Sequence, residues 1–351
     1  MTSAEAPATG GDAAAGALEQ AREAGIHGIA LPTPFLVGRI NCWLIEDEPL
    51  TLVDTGPNSA KSLDELEQAL HGLGHRVEDL ELIVLTHQHI DHVGLVEILA
   101  RRSGAEVAAL HLLGPYLEDF SASARADDDF SMQVMLRHGV PADLASALGA
   151  VGSAFRAFGS SGQVGVAMRD GDELTLRDRS LRAHHRPGHS PSDTVFWDEA
   201  RRILIGGDHL LANVSSNPLV SRPLAGDGDA VPGGRDRPHA LRDYIASMSV
   251  TREVPARFVL SGHGPPVTDH PALIDERLRM HDRRARKLHK LLQELGPSTA
   301  YGLASQMWGN VAVTQAFLTI SEVLGHLDLL IADGRVGEDS DGAVTSFRAL
   351  C

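Results

Sequence analysis

Glu81-Leu-Ile-Val-Leu-Thr86, followed by His87, Gln88, His89, Ile90, Asp91 and His92, is the stretch that decides the fold. The first six residues form an apolar run with strand character. Alternation along an extended end throws His87 and His89 to the same side. Gly94 to Arg102 reads as a helix, which puts Asp91 and His92 at its start. A strand-to-helix corner of this kind points imidazoles and a carboxylate into one cavity. With 18 His in 351 residues, two close histidines would mean little. Three plus an aspartate, directly after a buried-type strand, point to a bound metal.

Three downstream fragments repeat the device. Arg186-Pro-Gly-His189-Ser-Pro-Ser follows the strand-like Ser180 to His184. Arg201 to Ile205 reads as a strand that runs into Gly206-Gly207-Asp208. Phe258-Val-Leu-Ser-Gly-His263-Gly-Pro-Pro gives strand, turn, histidine and turn again. A lone His or Asp in a glycine-rich turn usually just satisfies the turn. Here a ligand-type residue stands at a strand end with glycine beside it each time, and a histidine-rich surface loop would not produce that. Val53-Asp-Thr-Gly56 adds Asp54, which reads either as an Asx-turn residue or as an acid supporting a ligand.

These motifs, in this order from about residue 30 to 268, resemble the metallo-β-lactamase fold superfamily. The resemblance implies an α/β, four-layer αββα sandwich. It implies one metal on His87, His89 and His189, a second on Asp91, His92 and His263, and Asp208 bridging the two. Asp54 would orient a ligand histidine through its other ring nitrogen. Imidazole and carboxylate donors suit two Zn2+ ions, with manganese or iron also compatible. Such a pair would lower the pKa of a bridging water towards ~7 and supply hydroxide. Asp91 is the catalytic candidate, placed to orient that hydroxide or relay its proton. No Gly-x-Ser-x-Gly elbow competes with this chemistry.

Departures narrow the field. His89 stands where the di-iron flavoprotein branch has glutamate. Asp208 stands where many true β-lactamases have another residue, so antibiotic hydrolysis is not the expected main activity. The pattern is closer to glyoxalase II, lactonases and RNA-cutting branches, with iron-dependent persulfide dioxygenases still open. His209 reads as a satisfied loop histidine or a substrate-side donor.

A net charge of −16 argues against a protein that coats nucleic acid, and 43% hydrophobic residues support a real core. Cys42 and Cys351 are the only cysteines, so no disulfide framework exists and a cytoplasmic location is expected. Met1 to Gly16 reads as a disordered tail rather than a signal peptide. No apolar run approaches membrane-spanning length. The expected organisation is a tail over 1–17, a catalytic domain over 18–270 and a C-terminal module over 271–351.

Within the catalytic domain, Ile26 to Val53 reads as paired strands and Ser62 to Gly72 as a helix. The segment 112–161 departs from the strand rhythm, with an acidic turn at Asp127-Asp-Asp129 and helices at Phe130 to His138 and Ala142 to Phe158. It could form a lid over the metals or a packed insertion. Pro218 to Pro238 reads as a long loop, and Leu241 to Ser249 as a short helix.

After Pro271 the pattern gives a long amphipathic helix, a second over Thr299 to Trp308, a third through Phe317 to Ile331, and a hairpin over Arg335 to Leu350. That order resembles the winged-helix-like module carried by some superfamily members, glyoxalase-II-like hydrolases and a mitochondrial endoribonuclease among them. Arg277, Arg279, Arg283, Arg284, Arg286, Lys287 and Lys290 give the first helix a basic face, either a solvated face or a phosphate contact. The expected activity is glyoxalase-II-like hydrolysis of a thioester or related ester carbonyl in a small-molecule substrate. Cleavage of single-stranded RNA is the alternative, and a non-catalytic nucleic-acid binder with a structural metal is a third class.

Overall fold

The central strands carry apolar side chains on both faces, and this requires a covering layer on each side. The computed structural model describes residues 10–225, 237–340 and 342–350. One sheet holds β1 (Ile26–Leu31), β2 (Ile40–Ile45), β3 (Thr51–Val53), β4 (Leu82–Leu85), β5 (Glu106–Leu110) and β6 (Val166–Met168), in that order. The second runs β11-β10-β9-β8-β7, built from β7 (Glu173–Thr175), β8 (Ser180–His185), β9 (Thr194–Asp198), β10 (Ile203–Gly207) and β11 (Phe258–Ser261).

Alternation assigns each face. Leu82 and Val84 of β4 join Phe196, Ile203, Ile205, Phe258 and Leu260 of the second sheet in the cluster between the sheets. Ile83 and Leu85, one residue out of phase, pack outward with Leu66 and Leu70 of α2 (Ala60–Gly72) and Leu99. Val195, Leu204 and Val259 turn the other way, onto Tyr244 and Met248 of the later helix Ala240–Thr251 and onto Ile274. The result is the expected α/β/β/α layering. Ser59 begins α2 as its N-cap, accepting from the Ser62 N–H.

The N-terminal segment corrects the expected tail. Gly10–Glu23 is helix α1, and Ala17 and Ala21, one turn apart, are buried in the inter-sheet cluster. Alanine has the highest helix propensity, so its run here helps a helix once it finds a surface to cover. Residues 1–9 lie outside the described residues. The expected strand at Arg201 to Ile205 is also displaced. Arg202 takes a φ of 57° in the turn after β9, and β10 starts at Ile203 and continues to Gly207.

The ligand corner is two short helices rather than one, α3 (Ile90–Val93) and α4 (Val96–Ser103). The segment 112–161 is more helical than expected: α5 (Leu113–Glu118), α6 (Phe120–Arg137) and α7 (Ala142–Phe155). The acidic triplet is not a turn but the middle of α6. Its charges are answered from outside the helix, Asp127 by Arg222 at 2.9 Å and Asp128 by Arg156. The expected Pro218 to Pro238 loop falls partly on 226–236, outside the described residues; 218–225 carry no helix or strand.

Helix α8 (Ala240–Thr251) precedes β11. The C-terminal elements are α9 (His270–Leu295), α10 (Ala300–Trp308), α11 (Val311–Thr314), α12 (Ala316–Ala332) and the hairpin β12 (Val336–Asp339) with β13 (Ser346–Ala349). Their core residues Leu288, Leu303, Ile320, Leu324 and Phe347 form one cluster with Val134, Met135 and Ala145 of α6 and α7. The insertion is thus packed against the C-terminal helices. Among the described residues no helix is long and apolar enough to cross a membrane.

Candidate metal centre

Strand direction brings the scattered residues to one edge of the sandwich. β3 pairs parallel with β4, and β10 parallel with β11, so their C-terminal ends lie side by side. β8 reaches the same edge, being antiparallel to β9, which is antiparallel to β10. Asp54, the His87 to His92 corner, His189, Asp208 and His263 all follow these ends. The two sheets are tied there by backbone: Thr194 N–H donates to Thr86 O at 3.0 Å, and Asn41 N–H to Gly262 O at 2.6 Å.

All seven expected ligands converge. His89 Nδ1 lies 3.0 Å from His87 Nε2 and 3.0 Å from His189 Nε2. His92 Nε2 lies 3.5 Å from Asp208 Oδ1, and His263 Nε2 lies 3.3 Å from Asp91 Oδ2 and 3.6 Å from Asp208 Oδ2. His189 Nε2 is 3.6 Å from Asp208 Oδ2. Asp208 therefore stands between the two histidine sets. Gly262 permits this approach: a Cβ there would overlap Asp208 Oδ1 and sit 2.8 Å from His92 Cε1.

The outward ring nitrogens show which form each imidazole takes. Thr86 Oγ1 donates to Asp54 Oδ2 at 2.8 Å, so it accepts from His87 Nδ1 at 3.0 Å. His92 Nδ1 donates to Asp54 Oδ2 at 2.7 Å. His189 Nδ1 donates to Asn217 O at 3.2 Å and His263 Nδ1 to Arg39 O at 2.9 Å. With each of those protons directed outward, Nε2 of all four turns a lone pair inward.

Lone pairs facing lone pairs and carboxylates need a positive charge between them. Protons suit part of the cluster. Burial opposes charging His92 and His263, yet the carboxylates beside them, Asp54 and Asp208 for His92 and Asp208 for His263, raise both. Protons do not suit the rest. Burial, then the neighbouring histidines, push His87 well down, and burial with His189 takes His89 to about 3. Asp208 stays ionised: burial opposes this, but His92 and His263 hold its pKa below the usual range. His92 Nε2, Asp208 Oδ1 and His263 Nε2 are buried with no hydrogen-bond partner. The donor set fits divalent cations.

Of the two readings of Asp54, the contacts favour the acid that supports a ligand histidine. Its backbone is left-handed with φ of 60°, and its carboxylate accepts from the Thr86 N–H and from His92. His209 is buried and only half satisfied: its Nε2 faces Thr251 Oγ1 at 2.9 Å and its ring packs edge-on to Tyr244, while Nδ1 has no hydrogen-bond partner. Cys42 is a buried free thiol.

The cluster opens into a cavity of about 660 Å³. Of the 112–161 segment, Tyr116 lines it among the described residues. Tyr116 was not anticipated, and neither was the loop at Phe35 to Val37. Phe35 rests on Phe155 of α7 with ring centroids 5.4 Å apart. Thr86 was also passed over, although its place immediately before His87 was a signal. Asp193, 3.9 Å from His87 Nδ1, has its pKa raised to about 6 by burial.

Much of the basic face of α9 is engaged. Arg277 donates to Val214 O, Arg284 pairs with Glu322 at 2.6 Å, Arg286 with Asp282, and Lys290 with Glu294. Arg279, Arg283 and Lys287 are exposed.

Comparison with known proteins gives the family. The profile of the metallo-beta-lactamase superfamily matches residues 36–263. The probable metallo-hydrolase YqjP of Bacillus subtilis (strain 168) is 32% identical over 323 residues, covering 92% of this chain and 97% of that protein. The crystal structure of a beta-lactamase domain protein from Burkholderia ambifaria superposes with a TM-score of 0.75 at 26% identity, covering 93% of this chain and 92% of that one. Acyl-coenzyme A thioesterase MBLAC2 of Homo sapiens is 30% identical over 181 residues, 48% of this chain and 58% of that protein.

Proposed function

The chain belongs to the metallo-beta-lactamase superfamily of metal-dependent hydrolases, and we propose that it cleaves a thioester or related ester carbonyl in a small molecule. The observation that carries this reading is the convergence of the Nε2 atoms of His87, His92, His189 and His263 around Asp208 and His89. His87, His89 and His189 would hold one divalent cation and Asp91, His92 and His263 a second, with Asp208 lying between the two groups. Zinc suits these nitrogen and oxygen donors best. Bound there, the cations supply Lewis acidity and lower the pKa of a water to near neutrality.

The chain's own groups do the rest. Asp91 is ionised: burial opposes this, but its contact with His263 lowers its pKa. Its carboxylate borders the cavity, where it orients the attacking water and takes its proton. Tyr116 lines the same cavity with its hydroxyl donated to Asp127 Oδ2 at 3.0 Å, and burial raises its pKa, so it stays neutral. It serves as wall rather than acid. The relative named as an acyl-coenzyme A thioesterase supports a thioester over other carbonyls.

The test is hydrolysis of an acyl thioester panel by metal-loaded protein. Activity should vanish with a chelator, return with zinc and be lost in Asp208→Asn. Hydrolysis that persists through chelation, or in the Asp208 variant, would end this reading.

A further inference from the structure

The cavity at the candidate metal centre is lined by the ligand residues and by a mainly apolar surface, with Gln88, Ser215, Ser216 and Asn217 as its other polar side chains. The ligand residues that line it are His89, Asp91, His189, Asp208 and His263. The walls include Leu36 and Val37 of the loop between β1 and β2, Val214 and Leu219 after β10, and Leu318 of α12. Several of these are unusually open to solvent: Leu36 is 94% exposed, Val214 46%, Val37 41% and Leu318 38%. Large apolar side chains exposed singly need no explanation, but a group converging on one concavity marks a binding surface. Four of the eleven such side chains among the described residues line this cavity.

The charge of the walls is equally informative. No Lys or Arg lines the cavity among the described residues. An anionic carrier, whether a nucleotide phosphate or the carboxylates of a peptide thiol, finds no fixed cation there to pair with. The part of the substrate held inside is therefore uncharged and apolar.

We propose that this cavity binds the acyl group of the substrate as an extended hydrocarbon chain, with the thiol portion left outside the walls. The proposal rests on the thioester reading for its scissile carbonyl. In the reaction a water oxygen bonds to the carbonyl carbon and the carbon–sulfur bond breaks. Sulfur leaves with the bonding electron pair and takes up a proton, and a carboxylic acid is released, ionised at neutral pH. A small polar acyl group would leave the walls of Leu36, Val37, Val214 and Leu318 wet.

The experiment uses the full chain loaded with zinc and thioesters of one thiol carrying acetyl, butyryl, octanoyl and dodecanoyl groups. Over the short members kcat/KM should rise roughly threefold per added methylene, then level off once the walls are covered. The double variant Leu36→Asp with Val37→Asp should lower the octanoyl-to-acetyl ratio of kcat/KM about tenfold. Both side chains are exposed, so the fold does not depend on them. A flat series, or an unchanged ratio in the variant, would overturn the proposal.

Calorimetric titration with octanoate, the product acid, provides a second readout that needs no turnover. The wild type should bind it and the double variant should bind about tenfold more weakly. If octanoate binds in this way and no thioester is cleaved, the reaction assignment falls and the acyl pocket stands. If thioesters are cleaved without regard to chain length and octanoate does not bind, the pocket falls and the reaction stands.

Discussion

His92 donates from Nδ1 to Asp54 Oδ2 at 2.7 Å, and this bond fixes which ring nitrogen meets Asp208. Asp54 holds the position from a left-handed backbone with φ of 60°, a conformation that costs a non-glycine residue about 1–3 kcal/mol. Its carboxylate is pinned there by the Thr86 N–H at 2.9 Å and the Thr86 hydroxyl at 2.8 Å. A strained acid, held rigidly behind a buried histidine, is a support for that histidine.

Asp54→Asn keeps the shape and removes the charge behind His92. Metal affinity should fall about 10–100-fold, measured by competition with a chelator, with the circular dichroism spectrum unchanged. Unchanged affinity would reduce Asp54 to a turn residue.

Gly262→Ala places a methyl group against Asp208 Oδ1, closer than van der Waals contact allows. The carboxylate must move, and a displacement of about 1 Å near the chemistry can cost roughly 10²-fold in rate. The control is Gly72→Ala at the end of α2, where a Cβ meets nothing within 4 Å. The first variant should lose turnover and the second should not; equal activity in both would contradict the assignment of Asp208.

Metal binding should release protons. Burial works against the charged forms of His92 and His263, but Asp54 and Asp208 beside His92, and Asp208 beside His263, raise their pKa values in the metal-free protein. A cation must displace those protons, so affinity falls as pH drops through that raised range and levels off above it. His87 and His89, pushed down by burial, are already neutral and add nothing. Calorimetry in buffers of different ionisation enthalpy should count about one to two protons released per chain, and a count of zero would contradict the geometry.

The site was legible because its residues sit at strand ends, and strand ends are written locally. The apolar run before His87 and the glycines beside Asp208 and His263 each carry their own signal. What sequence could not supply was contact across the fold. The 127–129 carboxylates looked like a turn because three adjacent acids disfavour a helix, yet Arg222 and Arg156 arrive from distant segments to answer two of them. The N-terminal helix was missed because its apolar stripe is alanine, weak as a pattern until β1 gives it a surface. Leu36 and Val37 carried no periodic signal, being two residues of a loop. Their meaning comes from Val214 and Leu318, far along the chain.

Asp208 and the six side chains gathered around it would hold a pair of cations. Metal content of the purified, zinc-saturated chain tests this most directly, measured beside His87→Ala and His263→Ala. The wild type should hold about two ions per chain and each variant about one fewer. A wild type that binds no zinc, or variants that keep its full complement, would contradict the account.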